Sequence, residues 1–449
     1  MAGFSRRAQL PPFLALLLLS LGTVGLLSLT ASVLEVDLTV LQSATKRGAV
    51  CLDGSPPAYH FSGGFGSGES SWLVHIEGGG WCHNVTNCLS RMKGKLGSSR
   101  AMGAVRFSGI LNDHGELNPY FYNWNKVKVG YCDGSSFTGD VDRVDPVSTN
   151  PPARPHLSRT NPPSLSLRIL LSLSLSISLS FSFSAIFDAV MEDLLAKGMK
   201  NATNALLSGC SAGGLTSVLH CDRFRALLPA DARVKCLTDG GYFVNAKDIS
   251  GIEYVRAYFN SIVETHGSAK NLPPSCTLRM SPGMCFFPQY VAPRILTPLF
   301  ILNAAYDSWQ IRNILVPLPS DREGTWKDCR ADITKCNTKQ IEGMQVFRQE
   351  FLKDLGRTIA SDPSNGFFIN SCFAHCQTEL TTVAEAVGLW FYDLRDFKEI
   401  DCPYPCDSSC YNNKYESQDG LEDNDIHKAI SATLVRFRSQ SRTYNERRE

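Results

Sequence analysis

The sequence predicts an α/β fold in which a mostly parallel central sheet carries helices on both faces. Three observations lead there. Apolar runs of strand length alternate along the chain with segments of helical periodicity, the arrangement that parallel strands with helical crossovers require. Those runs end in Gly, Asp or Asn clusters suited to turns at a sheet edge. The 449 residues, 43% of them hydrophobic, suffice for one large core with long insertions, although length alone would also allow about three average domains.

In chain order, Trp72 to Ile76 is the first strand candidate and leads into Glu77-Gly78-Gly79-Gly80-Trp81. Val127 to Tyr131 is the second and precedes Asp133-Gly134. Ile186 to Met199 carries Phe187, Val190, Met191, Leu194 and Leu195 at helical spacing, Ala205 to Leu207 reads as a short strand, and Leu215 to Phe224 resumes the helical period. Val234 to Leu237 before Asp239-Gly240-Gly241 and Pro298 to Leu302 before Asn303 complete the strand candidates.

Charge and cysteine usage bound the function. With 44 Lys+Arg against 43 Asp+Glu, the chain lacks the net basic character on which nucleic-acid binding depends. Its 16 cysteines, an even number, point to oxidised pairs in a secretory compartment. Zinc is the competing reading. The spacings Cys402, Cys406, Cys410 and Cys372, Cys376 leave three residues between cysteines and lack a facing Cys-x-x-Cys pair, which argues against it. Arg6 and Arg7 followed by an uncharged apolar run from Leu10 to Val33 make residues 1–33 a signal peptide or a single-pass anchor, the sole expected contact with a membrane. The sequons at Asn84 and Asn201 fit the same destination.

Residues 45–410 then form the main domain, interrupted at 147–184 and followed by a polar tail at 411–449 that is expected to be peripheral. The interruption starts Pro-rich and becomes a Leu/Ser alternation from Leu165 to Phe183, far longer than an ordinary strand. A CT dinucleotide repeat encodes Leu-Ser alternation in every frame, so translated simple-sequence DNA, such as retained intron, explains this stretch more simply than a fold does.

The chemistry concentrates at Gly209-Cys210-Ser211-Ala212-Gly213, a G-x-S-x-G sequence between a strand and a helix. Small flanking residues let the backbone turn sharply there, presenting the Ser211 hydroxyl as a nucleophile, with the Ala212 N–H and the helix dipole beside a developing oxyanion. The blander reading is a glycine turn that merely caps a helix. Glu77 to Trp81 offers a second oxyanion loop, since a glycine run lets amides approach a ligand. The base must then be a histidine beyond the elbow. His375, between Cys372 and Cys376, is preferred over His266 and His427, while His220 lies within the elbow helix. For the orienting acid, Asp307 after the strand at Leu299 to Leu302 is modestly favoured over Asp239 by its place in chain order.

Several ordered motifs carry a family resemblance: EGGGWCHNVTNCLSR from Glu77, NWNKVKVGYCDGSSFTGD from Asn123, LSGCSAGGLTSVLHCDRF from Leu207, LTDGGYF from Leu237, NAAYDSWQ from Asn303 and NSCFAHCQTE from Asn370. Together they resemble the plant pectin acetylesterases, carbohydrate esterases related to the animal Notum carboxylesterases. The resemblance spans most of 45–410 and excludes 147–184. It implies an α/β-hydrolase-like fold, a triad of Ser211, Asp307 and His375, oxyanion amides from Gly80, Trp81 and Ala212, no cofactor or metal, and acetylated pectin of the cell wall as substrate. A Notum-like hydrolase of longer acyl esters, or an inactive wall-binding glycoprotein, stays open beside it.

Overall fold

The computed structural model describes residues 35–141, 181–182 and 184–415. Nine strands build the main sheet: β1 (Leu38–Val40), β2 (Ala58–Ser62), β3 (Ser71–Ile76), β4 (Asn125–Val129), β5 (Asn204–Cys210), β6 (Arg233–Asp239), β7 (Leu299–Ala304), β8 (Gly366–Asn370) and β9 (Lys398–Ile400). Across the sheet the order is β9, β8, β7, β6, β5, β3, β4, β2, β1. All pairs from β9 to β4 are parallel, and only β2 runs against its neighbours.

Alternation along each strand sorts side chains into two cores. Trp72, Val74 and Ile76 of β3, Ala205 and Leu207 of β5, and Leu299 and Ile301 of β7 face one. Leu73, Leu206, Leu237, Phe300 and Leu302 face the other. Because both sides are apolar, the central strands read as short continuous hydrophobic runs, as a parallel sheet covered on two faces demands. The first face is covered by α1 (Ser184–Ala196), α2 (Ala212–Ala226), α3 (Tyr254–Thr265) and α4 (Thr338–Ser361), whose buried Ile186, Leu215, Phe259 and Phe351 join its core. The second is covered by α5 (Thr381–Phe391) together with Phe107, Ile110, Phe121 and Trp124. The α/β architecture expected from the sequence is thus present.

Some expectations shift. The second strand runs from Asn125 to Val129, two residues earlier than its apolar signal; Tyr131 is fully buried outside the ladder, its ring 5.6 Å from that of Phe137. The chain before residue 45 contributes β1, and the chain after 410 is packed through Tyr415, whose N–H donates to the Ala331 carbonyl at 3.0 Å. Both links use backbone hydrogen bonds, which leave no pattern in the sequence.

The leader expected over 1–33, His427 and nearly all of the Leu/Ser segment lie outside the described residues. Its end and the chain before it are described: Asp140 pairs with Ser182 and Val141 with Phe181, so the chain ahead of the segment lies beside the segment's last residues. No helix among the described residues is long and apolar enough to cross a membrane. The 16 cysteines form eight disulfides, and the spacings that raised zinc belong to Cys402–Cys406, Cys372–Cys410 and Cys210–Cys376.

Candidate active site

Parallel strands end together, and here their ends bring the motifs to one edge. The register sets Ile76 beside Gly209, Cys210 beside Asp239, Asp239 beside Leu302, and Ala304 beside Asn370. The glycine loop, the elbow, Asp239, Asp307 and the loop holding His375 all emerge from that edge.

At the elbow, Ser211 links β5 directly to α2 and adopts φ 57° and ψ −123°, a left-handed backbone that a non-glycine residue holds only under tertiary constraint. One constraint is Gly213: a Cβ there would stand 2.2 Å from the Ile76 carbonyl oxygen, so only glycine lets the start of α2 press onto the end of β3. Another is the Ser211 N–H, which donates to the Asp239 carbonyl at 2.8 Å.

The Ser211 hydroxyl lies 2.8 Å from His375 Nε2, and His375 Nδ1 lies 2.8 Å from Asp307 Oδ2. A carboxylate only accepts, so Nδ1 donates to Asp307 and Nε2 accepts from the serine hydroxyl. Asp307 is held in turn by capping the short helix Ser308–Gln310, its Oδ1 accepting from the Gln310 N–H at 2.9 Å. Asp307 is buried, while the His375 side chain keeps 12% of its surface exposed, enough for a reactant to reach the ring.

Of the residues expected to supply oxyanion amides, Gly80 and Trp81 lie in the loop after β3 and Ala212 opens α2. Gly80 takes a left-handed φ of 60°, which turns the loop after β3. Among the described residues the amides of Gly80, Trp81 and Ala212 donate to no protein acceptor. A residue that sequence reasoning passed over joins the two halves: the Ser136 hydroxyl donates to the Ala212 carbonyl and accepts from the Trp81 indole N–H, each at 2.8 Å. Trp81, Phe243 and Trp309 pack edge to face with centroids 5.0 to 5.5 Å apart, and Phe243 and Trp309 each approach the His375 ring to 6.3 Å.

The rival residues sit elsewhere or act differently. The buried His266 contacts the Cys82 carbonyl through Nε2 at 2.8 Å, and burial pushes its pKa down to about 4. His220, on α2, stacks on Phe187 at 4.4 Å and is pushed down to about 3, again by burial. Asp239 does not hold the imidazole; its Oδ2 accepts from the amides of Gln377 and Thr378 at 2.6 and 2.7 Å. Also missed from sequence was Cys210–Cys376, which joins the residue before Ser211 to the residue after His375. The signal was present in two cysteines flanking the two candidate reactive residues, but pairing is not readable from one sequence.

A doubly covered, mostly parallel sheet with an elbow at its carboxyl edge defines the α/β-hydrolase-like class. Within it, this chain belongs to the pectinacetylesterase family, whose model matches residues 29–411. It is 48% identical to Pectin acetylesterase 7 of Arabidopsis thaliana over 84% of this chain and 92% of that one. It is 46% identical to Pectin acetylesterase 11 of the same plant, with the same coverage. The palmitoleoyl-protein carboxylesterase notum1a of Danio rerio is more distant, at 25% identity over 85% of this chain and 74% of that protein.

Proposed function

We propose that this protein is a serine carboxylesterase that removes acetyl groups from cell-wall pectin through an acyl-enzyme. The observation that carries the reading is the unbroken chain from Ser211 to His375 to Asp307, with both contacts at 2.8 Å. His375 takes the Ser211 proton as the oxygen attacks the acetyl carbonyl, and Asp307 stabilises the imidazolium that results. The amides of Gly80, Trp81 and Ala212 hold the oxyanion of the tetrahedral intermediate, a contribution of about 100-fold or more in turnover for each donor. His375 then protonates the departing sugar oxygen, and water activated by the same ring releases acetate. These steps call on protein groups alone.

Acetyl rather than long-chain acyl esters are favoured by the names of the more similar relatives and by the packed wall of Trp81, Phe243 and Trp309 beside the imidazole. Residues 1–33 act as the leader that delivers the chain to the cell wall, where the exposed Asn84 and Asn201 accept glycans. The test is acetate release from acetylated pectin, together with p-nitrophenyl esters of increasing chain length. Activity that falls steeply beyond the acetyl ester supports the reading; a preference for long chains overturns the substrate, and full activity of Ser211→Ala overturns the nucleophile.

A further inference from the structure

Asp239 ends β6, one strand over from the elbow, and belongs to no step of the reaction described above. It nevertheless touches both of its halves. Its carbonyl accepts from the Ser211 N–H at 2.8 Å, and its side-chain Oδ2 accepts from the Gln377 and Thr378 amides, the second and third residues after His375. Its other carboxylate oxygen is buried without a hydrogen-bond partner among the described residues. The next residue, Gly240, is so close to the histidine that a Cβ there would lie 3.0 Å from His375 Nδ1.

We propose that Asp239 is a positioning residue which fixes the distance between nucleophile and base, its backbone holding the elbow and its carboxylate holding the histidine loop. A loop amide gives no rigidity by itself; two amides converging on one buried oxygen set both the height and the tilt of the segment that carries the imidazole. Charge adds a second effect. Burial pushes the Asp239 carboxyl up to about 7, and the two amide donors and the charge of His375 pull against that rise. Above that pH the group is an anion and joins Asp307 in stabilising the imidazolium formed during attack; below it the carboxyl is neutral and holds the loop through its oxygen alone. Of the groups facing Asp239, His375 is the one that titrates: Cys210 from β5 is in a disulfide, Leu302 and Asn303 from β7 and Gly214 from α2 carry no charge, and Asp307 stands beyond the ring.

This inference rests on the esterase reading and is tested beside it with the full-length chain. Wild type, Ser211→Ala, Asp239→Ala and Asp239→Asn are compared for acetate release from acetylated pectin over pH 5 to 9, for phosphonylation of Ser211 by a fluorophosphonate, and for Tm. Asp239→Ala is expected to lower kcat about 100-fold, the scale of a misplaced reacting group, with KM nearly unchanged and with phosphonylation slowed in proportion. Asp239→Asn keeps an oxygen for the amides and recovers most of that loss. Its kcat/KM lacks the further rise across about pH 6 to 8 that ionisation of Asp239 adds in the wild type, because an amide carries no charge at any pH. Parent-like kcat and labelling in Asp239→Ala overturn the proposal. So does an unchanged rise over that range in Asp239→Asn, and that variant decides the matter if the alanine protein does not fold. Full activity in Ser211→Ala would instead overturn the esterase reading.

Discussion

Ser211 and His375 meet at 2.8 Å, yet the two regions that carry them are built by different means. The elbow is local. A strand, one residue at positive φ and a helix follow one another without a gap, and glycine spacing makes room for the turn. The histidine loop has no secondary structure between Asn370 and Thr381, and its shape comes from outside: Cys372–Cys410, Cys376–Cys210, the Ser308 N–H on the Ala374 carbonyl at 2.9 Å, and the Asn412 side chain and Asn413 amide on Phe373, each at 2.7 Å. A local turn loses little chain entropy in forming, whereas bringing residue 376 to residue 210 closes a long loop whose cost a cross-link removes from the folding step. The nucleophile's turn is formed by a local motif and clamped by the ends of β3 and β6, whereas the base's loop takes its whole shape from distant parts of the domain.

Variants can break this contrast. The largest effect is expected from Ser211→Ala, which removes the attacking atom and should cut acetate release by at least about 10⁴-fold. Asp307→Asn should cost about 10⁴-fold in kcat, since an amide that donates to Nδ1 selects the wrong tautomer. The pair Cys210→Ser and Cys376→Ser tests the non-local half: kcat should fall about 100-fold from a loosened loop, and unfolding stability by about 2 to 5 kcal/mol. Urea melts and steady-state kinetics read both, and a kcat that survives intact would place the loop under local control after all.

Two smaller effects sharpen the picture. His220, on the elbow helix, has a pKa pushed down to about 3 by burial and accepts its proton only on unfolding. Its contribution is therefore present above the ordinary histidine pKa and is lost as pH falls below it, by about 2 kcal/mol between pH 6.5 and 5. In His220→Phe that share of the acid sensitivity should disappear from urea midpoints measured at the two pH values. Deleting residues 147–180 touches neither half, and because Val141 and Phe181 already pair, the joined chain should keep kcat within about twofold. A lost sheet or lost activity would show that the segment contributes to the fold.

Much of the fold was legible. Trp72 to Ile76, Ala205 to Leu207, Val234 to Leu237 and Leu299 to Leu302 announce themselves because strands buried on both faces are apolar at nearly every position, the buried His75 and Lys235 excepted. The edge strands β1 and β9 are short and half exposed, so they carry no such run. In the site, Ser211 stood out from its neighbours alone, and His375 and Asp307 followed from chain order together with the family motifs. Ser136 did not, because a serine that braces two distant backbones has no sequence pattern. Nor did Asn412 and Asn413, whose polar contacts resemble those of any surface tail.

What the sequence determined by itself is therefore the set of parts: apolar runs that must pair in parallel, a turn that must expose a hydroxyl, and cysteines that must find partners. Each of these follows from side-chain chemistry within a few residues. The tertiary structure decided which carboxylate faces the imidazole and which faces the loop amides, and it joined Cys210 to Cys376. Those choices depend on where strands end beside one another, and strand order is a property of the assembled sheet rather than of any stretch of chain.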